Sequence, residues 1–185
     1  MAGLLSAVPH LEASRVQALD DLRDWLLARA WPKGASEVRS SLENLSHVLG
    51  DLLFVLRQRG EQRRKRWTYV IPQVWPPDNV LHKRLMRQFE YDVALLQDLA
   101  LELTRAANYV CDCVREQLND DWRRDEGVLV VTSGDYFTTA LAFHVMYHRA
   151  EYQAHERTDR PYPGLQRFKQ VRATRSDYFG KGARP

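Results

Sequence analysis

The sequence predicts an all-α protein, an up-down four-helix bundle with a short β-like segment near 128–132 and an irregular basic C-terminal tail. Three observations lead there. Apolar residues recur at three- and four-residue steps over several long stretches, which places them on single helical faces. Prolines gather between those stretches at 72, 76 and 77, and again at 161 and 163. Only one run, Val128 to Val131, has the β-branched density of a strand, and alone it is too isolated to build a sheet.

The first helix is expected over about 11–30, with Val16, Leu19, Leu22, Leu26 and Ala30 on one face and Trp31-Pro32 ending it. The second is expected over about 41–57, opened by Ser40 and Glu43 at capping-box spacing, with a face of Leu45, Val48, Leu49, Leu52 and Leu56. An irregular, proline-rich stretch follows. Asp78 or Asn79 then caps a third helix running to about 118, with the seam Phe89, Val93, Leu96, Ala100, Leu103, Ala107, Val110 and Val114. Such a seam suits near-antiparallel packing, and a length of roughly 60 Å requires a kink or an overhang. Thr132 and Ser133 are the expected N-caps of a fourth helix, about 134–157.

One helical domain over 1–157 therefore carries a basic tail, 158–185, packed on it or trailing from it. The formal net charge is only +3, and the basic character sits largely in that tail. Charge alone therefore gives no reason to expect a nucleic-acid partner. No apolar stretch reaches the ~20 residues of a membrane span, and no basic n-region marks a secretory signal. The only cysteines, Cys111 and Cys113, are two apart on an expected helix and point to opposite sides, so no disulfide joins them, which fits a reducing, cytoplasmic location.

The predicted fourth helix holds the most informative pattern. At 100° per residue, His144 and His148 project together with Phe137, Ala140 and Leu141, at the centre of the apolar arc. Two neutral imidazoles at i and i+4 can reach one metal ion, which would also give polar rings a reason to sit among hydrocarbon. The ordinary alternative is a pair of buried histidines satisfied by a tyrosine, an acid or a carbonyl. Glu151, one turn further, suits a ligand, a second acceptor or a general base.

The segment TSGDYFTTALAFHVMYHRAEYQ resembles the last conserved block of the DinB/YfiT-like family of metal-binding four-helix bundles. His144, His148 and Arg149 match its HxxxHR, whereas Ala150 and Glu151 stand where Gly-Gln is common, and Tyr147 replaces a frequent extra histidine. The family's third ligand is a histidine on helix two, and His47 occupies that place. The resemblance implies a divalent ion, Zn, Ni or Fe, held by His47, His144 and His148. It also implies activation of a low-molecular-weight thiol or of water against a small electrophile, as in S-transferases and isomerases. Asp51 or Glu43, on the same face as His47, would orient an imidazole, with Asp51 and Glu151 as the candidate catalytic carboxylates. Tyr147, Arg149, Trp67 and Tyr69 are the expected substrate contacts.

Three other readings compete. Arg149 and His155 have the spacing of a HEPN-type ribonuclease, although they diverge around the helix. Arg57, Arg59, Arg63, Arg64, Lys65 and Arg66 make a basic loop, with Trp67 and Tyr69 available to stack on bases, or an anion clamp at a pocket mouth. The third is a non-catalytic interaction bundle, for which the long third helix offers a homodimer surface.

Overall fold

The computed structural model describes residues 10–30, 34–70, 80–127, 129–133, 141–144, 146–147 and 160–175. These are mostly helical. In chain order they form β1 (His10–Glu12), α1 (Ala13–Ala28), α2 (Ser36–Arg59), β2 (Gly60–Arg63), β3 (Arg66–Tyr69), α3 (Val80–Gln117), β4 (Val130–Ser133), β5 (Leu141–His144) and α4 (Leu165–Arg175).

α2 forms because leucine and valine recur at helical spacing over 24 residues without a proline. Val48, Leu49, Leu52, Leu53, Val55 and Leu56 are all buried, and each contributes about 1.5–3 kcal/mol relative to leaving it exposed. The helix begins at Ser36, about a turn before the expected start, and its N-cap Ala35 offers no side-chain cap. Ser40 and Glu43 are therefore interior residues, and Glu43 accepts a hydrogen bond from Arg39 Nε at 3.0 Å instead of closing a capping box. Gly60 ends α2 by donating its N–H to the Leu56 carbonyl. A Cβ there would stand 2.6 Å from that oxygen, so the approach requires glycine.

α1 runs antiparallel to α2, with Arg57 paired to Asp20 near one end and Leu26 and Leu27 beside Ser46 and His47 further along. α3 also runs antiparallel to α2. Arg59 Nε lies 3.3 Å from Asp92 Oδ2 at one end, and Gln117 Nε2 donates to Glu37 Oε2 at 2.5 Å at the other. At 1.5 Å per residue α3 spans about 57 Å. Its 38 residues run unbroken, so the excess length is an overhang: residues 80–91 extend beyond the Arg59–Asp92 pair.

The polar stretch after α2 is not irregular. Residues 60–69 make a hairpin, and β1 joins it to give an antiparallel sheet in the order β1-β3-β2. Arg64, at φ 56°, takes the left-handed conformation at its turn. The sheet closes one end of the α1–α2 pair, because Ala13 N donates to the Lys65 carbonyl at 2.7 Å.

Two expectations for the C-terminal third are corrected. The β-like patch is not alone: Val130–Ser133 pairs antiparallel with Leu141–His144, register Val130 to His144. Leu141 to His144 are therefore extended, not part of a helix over 134–157, and Thr132 and Ser133 lie within a strand instead of capping a helix. The apolar and β-branched content of these two short runs suits a ladder as well as a helical arc, and pairing satisfies both backbones at once. The remaining residues assigned to that helix lie outside the described ones, apart from Met146 and Tyr147.

Nor is the tail merely extended, because α4 forms within it. Phe168 and Tyr162 are buried in the same core as the helices, at 0% and 5% exposure, with ring centroids 5.5 Å apart. No helix among the described residues is long and apolar enough to cross a membrane.

Candidate functional site

α3 is buried on two faces. Leu95, Leu99 and Ala106 face α2 in the apolar core, while Ala100 on the expected seam is exposed. The second buried face is polar, with Asp98, Arg105 and Asn108 on it and Glu102 nearby on the α2 side. Each of these finds partners, as burial requires. Arg105 donates from Nε to the Met146 carbonyl at 3.0 Å and pairs through Nη1 with Glu102 Oε2 at 3.3 Å. Asn108 accepts from Leu129 N at 2.8 Å and donates to the Leu129 carbonyl at 3.0 Å, so its amide holds the approach to β4.

Tyr147 lies where these contacts meet. Its ring is covered by the Arg105 guanidinium at 4.6 Å and meets Tyr109 edge-on at 6.0 Å. Its hydroxyl accepts from Asn44 Nδ2 of α2 at 3.1 Å. Asn44, fully buried, also accepts from Tyr162 N at 3.0 Å. One amide thus joins α2 to the chain after β5 and to the chain before α4.

His47 stands three residues beyond Asn44 on α2, exposed, at the wall of an open groove of about 430 Å³. Leu26, Leu27, Arg29 and Ala30 line its other side. Partial burial against that wall, and then the Arg160 guanidinium, hold the imidazole below the ordinary histidine value against the opposing pull of Asp51 and Glu43. The ring is therefore biased toward the neutral form that metal ligation or general-base action needs.

Asp51 does a different job from the expected one. Its Oδ2 accepts from Tyr162 Oη at 2.8 Å and from Leu165 N at 3.0 Å, so it caps the start of α4 from another helix. Trp67 and Tyr69 do not reach the groove. Trp67 is half-buried against the core, and Tyr69 is buried with its hydroxyl donated to the Val55 carbonyl at 3.2 Å. Burial, more than the adjacent Asp92, pushes the Tyr69 phenol far up. Both aromatics serve the end sheet.

His144 ends β5, so the i,i+4 argument from a common helical face does not carry over to it. His148, Arg149, Glu151 and His155 lie outside the described residues. Among the described residues no group of three or more metal-ligating side chains comes together. What the described structure brings together is His47, Arg160 and Asn44 with Tyr147. Sequence reading passed over Asn44, Glu102, Arg105 and Asn108, although three of them share a signal: polar groups three apart along the strongest helix.

No family model, no curated protein and no solved structure matches the chain.

Proposed function

We propose that the protein is a metal-assisted enzyme of the DinB-like kind, acting on a small electrophilic molecule in the groove beside His47. The observation that carries this reading is the hydrogen bond from Asn44 to Tyr147. It holds the residue between His144 and His148 against the turn of α2 that bears His47. In this reading His47, His144 and His148 hold the ion.

The residue chemistry fits a divalent cation in one respect and resists it in another. A neutral His47 is a competent ligand, whereas the nearby Arg160 charge opposes a cation. An ion bound here would supply Lewis acidity and lower the pKa of a coordinated thiol or water. The chain's own contributions are the apolar groove wall of Leu26 and Leu27, the Arg160 charge and the orientation of Tyr147 by Arg105.

Elemental analysis of the purified protein tests the reading. The expected result is close to one equivalent of zinc, nickel or iron, reduced about 10-fold or more in both His47→Ala and His148→Ala with the helical spectrum intact. Trace metal that is equal in wild type and variants overturns it.

A second reading, a non-catalytic interaction protein, is favoured by Leu22, Trp25 and Leu27 on α1 and Phe54 on α2, all exposed. Sedimentation of wild type against Trp25→Ser tests it: a wild-type dimer that the variant loses supports it, and a monomer in both removes the self-association form.

A further inference from the structure

Among the described residues, exposed charge is sorted between the two ends of α3. At the turn of the β2–β3 hairpin, Arg63, Arg64, Lys65 and Arg66 follow one another, and all four are exposed. Arg63 and Arg66 make open ion pairs with Glu61 and Glu12, of the kind that water and salt weaken readily. Arg64 and Lys65 have no acidic partner among the described residues. The overhanging start of α3 adds Lys83, Arg84 and Arg87, also exposed and likewise without an acidic partner there. The Arg59–Asp92 pair fixes that overhang beside the hairpin, so both basic groups occupy one end of the molecule.

Among the described residues, the far end has the opposite sign. The last turn of α3 and the turns after it expose Glu116, Asp120, Asp121, Asp125 and Glu126, against Arg123 and Arg124, which pair with Glu126 and Asp121. A polyanion is thus attracted to one end and repelled from the other, which sets both encounter and orientation.

We infer that the hairpin turn and the first turns of α3 form a phosphate-binding end for double-helical nucleic acid, read through its backbone and not its bases. Two observations select a duplex. Single-strand binders stack bases on exposed aromatic side chains. Here Trp67 and Tyr69 are committed to the core and Tyr91 lies under Arg172, leaving no exposed aromatic ring on the hairpin or the first turns of α3 among the described residues; the exposed Phe54 stands on α2, outside both. A two-stranded ribbon tipped with arginine and lysine, in contrast, fits a duplex groove and the phosphates beside it. The hairpin turn carries no apolar side chain to enter a bilayer, whereas Val80 and Leu81 at the start of α3 are exposed, and the vesicle arm of the test below distinguishes the two surfaces.

The test is fluorescence anisotropy of the full chain with labelled 20-base-pair DNA and RNA duplexes, at about 50 and 200 mM salt. Five phosphate contacts predict a weakening of about 100- to 1,000-fold between those concentrations. Replacing the hairpin cations (Arg63→Ser, Arg64→Asn, Lys65→Ser, Arg66→Ser) is expected to weaken binding at least about 10-fold and to flatten the salt dependence. Asparagine at 64 keeps the left-handed turn. A second variant, Lys83→Ser with Arg84→Ser and Arg87→Ser, gives the same direction without touching the hairpin. Arg123→Ser with Arg124→Ser, at the acidic end, also removes positive charge and leaves affinity unchanged. The inference is overturned by no binding at about 50 mM salt, or by equal loss in the Arg123/Arg124 control. Tighter binding to single strands of the same length, or to phosphatidylserine vesicles, overturns it as well. Metal content plays no part in any of these readouts, so failure here is distinct from failure of the enzymatic proposal.

Discussion

Arg172 on α4 and Asp98 on α3 form an ion pair at 2.5 Å with both side chains buried, 6% and 8% exposed. The guanidinium also lies 4.7 Å from the centroid of the Tyr91 ring. Removing one partner strands the other charge away from water, so Asp98→Ala is expected to cost about 3–5 kcal/mol. A paired replacement, Asp98→Leu with Arg172→Met, leaves no orphan charge and loses less than the single variant. Urea unfolding of the three proteins checks the ranking; a double variant as unstable as Asp98→Ala would show that the pair is not what fixes α4.

Asp51 accepts both the Tyr162 hydroxyl and the first amide of α4. Asp51→Ala is expected to cost about 1–3 kcal/mol, the range for losing a cap and leaving a part-buried donor unmet. Asp51→Asn, which keeps an acceptor oxygen, loses less. Limited proteolysis reads the local effect, since the bonds between 160 and 175 become cleavable first if α4 undocks before the rest opens.

His47 titrates below the ordinary histidine value because of partial burial and the Arg160 charge. Its depressed native pKa means that the unfolded chain takes up the proton first as pH falls. This contribution to stability is therefore fully present above the unfolded value of about 6.5 and is lost as pH drops toward the native pKa. Arg160→Gln raises the native pKa toward the unfolded value, so the loss becomes smaller and is complete at a higher pH, and His47→Gln abolishes this part of the profile. NMR titration of the ring gives the pKa directly, and a value above the ordinary one would reverse the sign.

Cys113 is buried and Cys111 half-buried, and in both burial pushes the thiol up. Neither presents much thiolate at pH 8, so both are expected to resist iodoacetamide in the native protein and to react when urea unfolds it. Mass spectrometry counts the adducts. Rapid native labelling of Cys113 would contradict its placement against Ala35 and Val38.

Much of the helical framework was legible, because α1, α2 and α3 each repeat an apolar face often enough to swamp local noise. What escaped notice followed from polar residues. The second buried face of α3 is built from Asp98, Arg105 and Asn108, which a hydrophobic-periodicity reading assigns to solvent. Its concealment depends on α4 and the chain after β5, distant partners that no local window contains. The β2–β3 hairpin lacks apolar alternation over Gly60–Arg63 and is held by register with β3. Leu141–His144 fits a helical arc and a strand equally well, and the ladder with Val130–Ser133 decides. Of the candidate site, His47 and Tyr147 stand near the turn of α2 that bears Asn44, whereas Asp51, Trp67 and Tyr69 are engaged in other contacts.

Asn44 has a consequence for how the molecule assembles. Its two amide contacts reach 103 and 118 positions along the chain, so they close some of the longest loops in the fold. The α2–α3 hairpin can form early from nearer contacts, but its polar seam stays wet until the chain through Tyr162 has arrived. Late closure of this kind makes folding slow. An α2–α3 pair formed before that closure would show water a hydrophilic stripe on that side, a face less prone to clump than bare leucine.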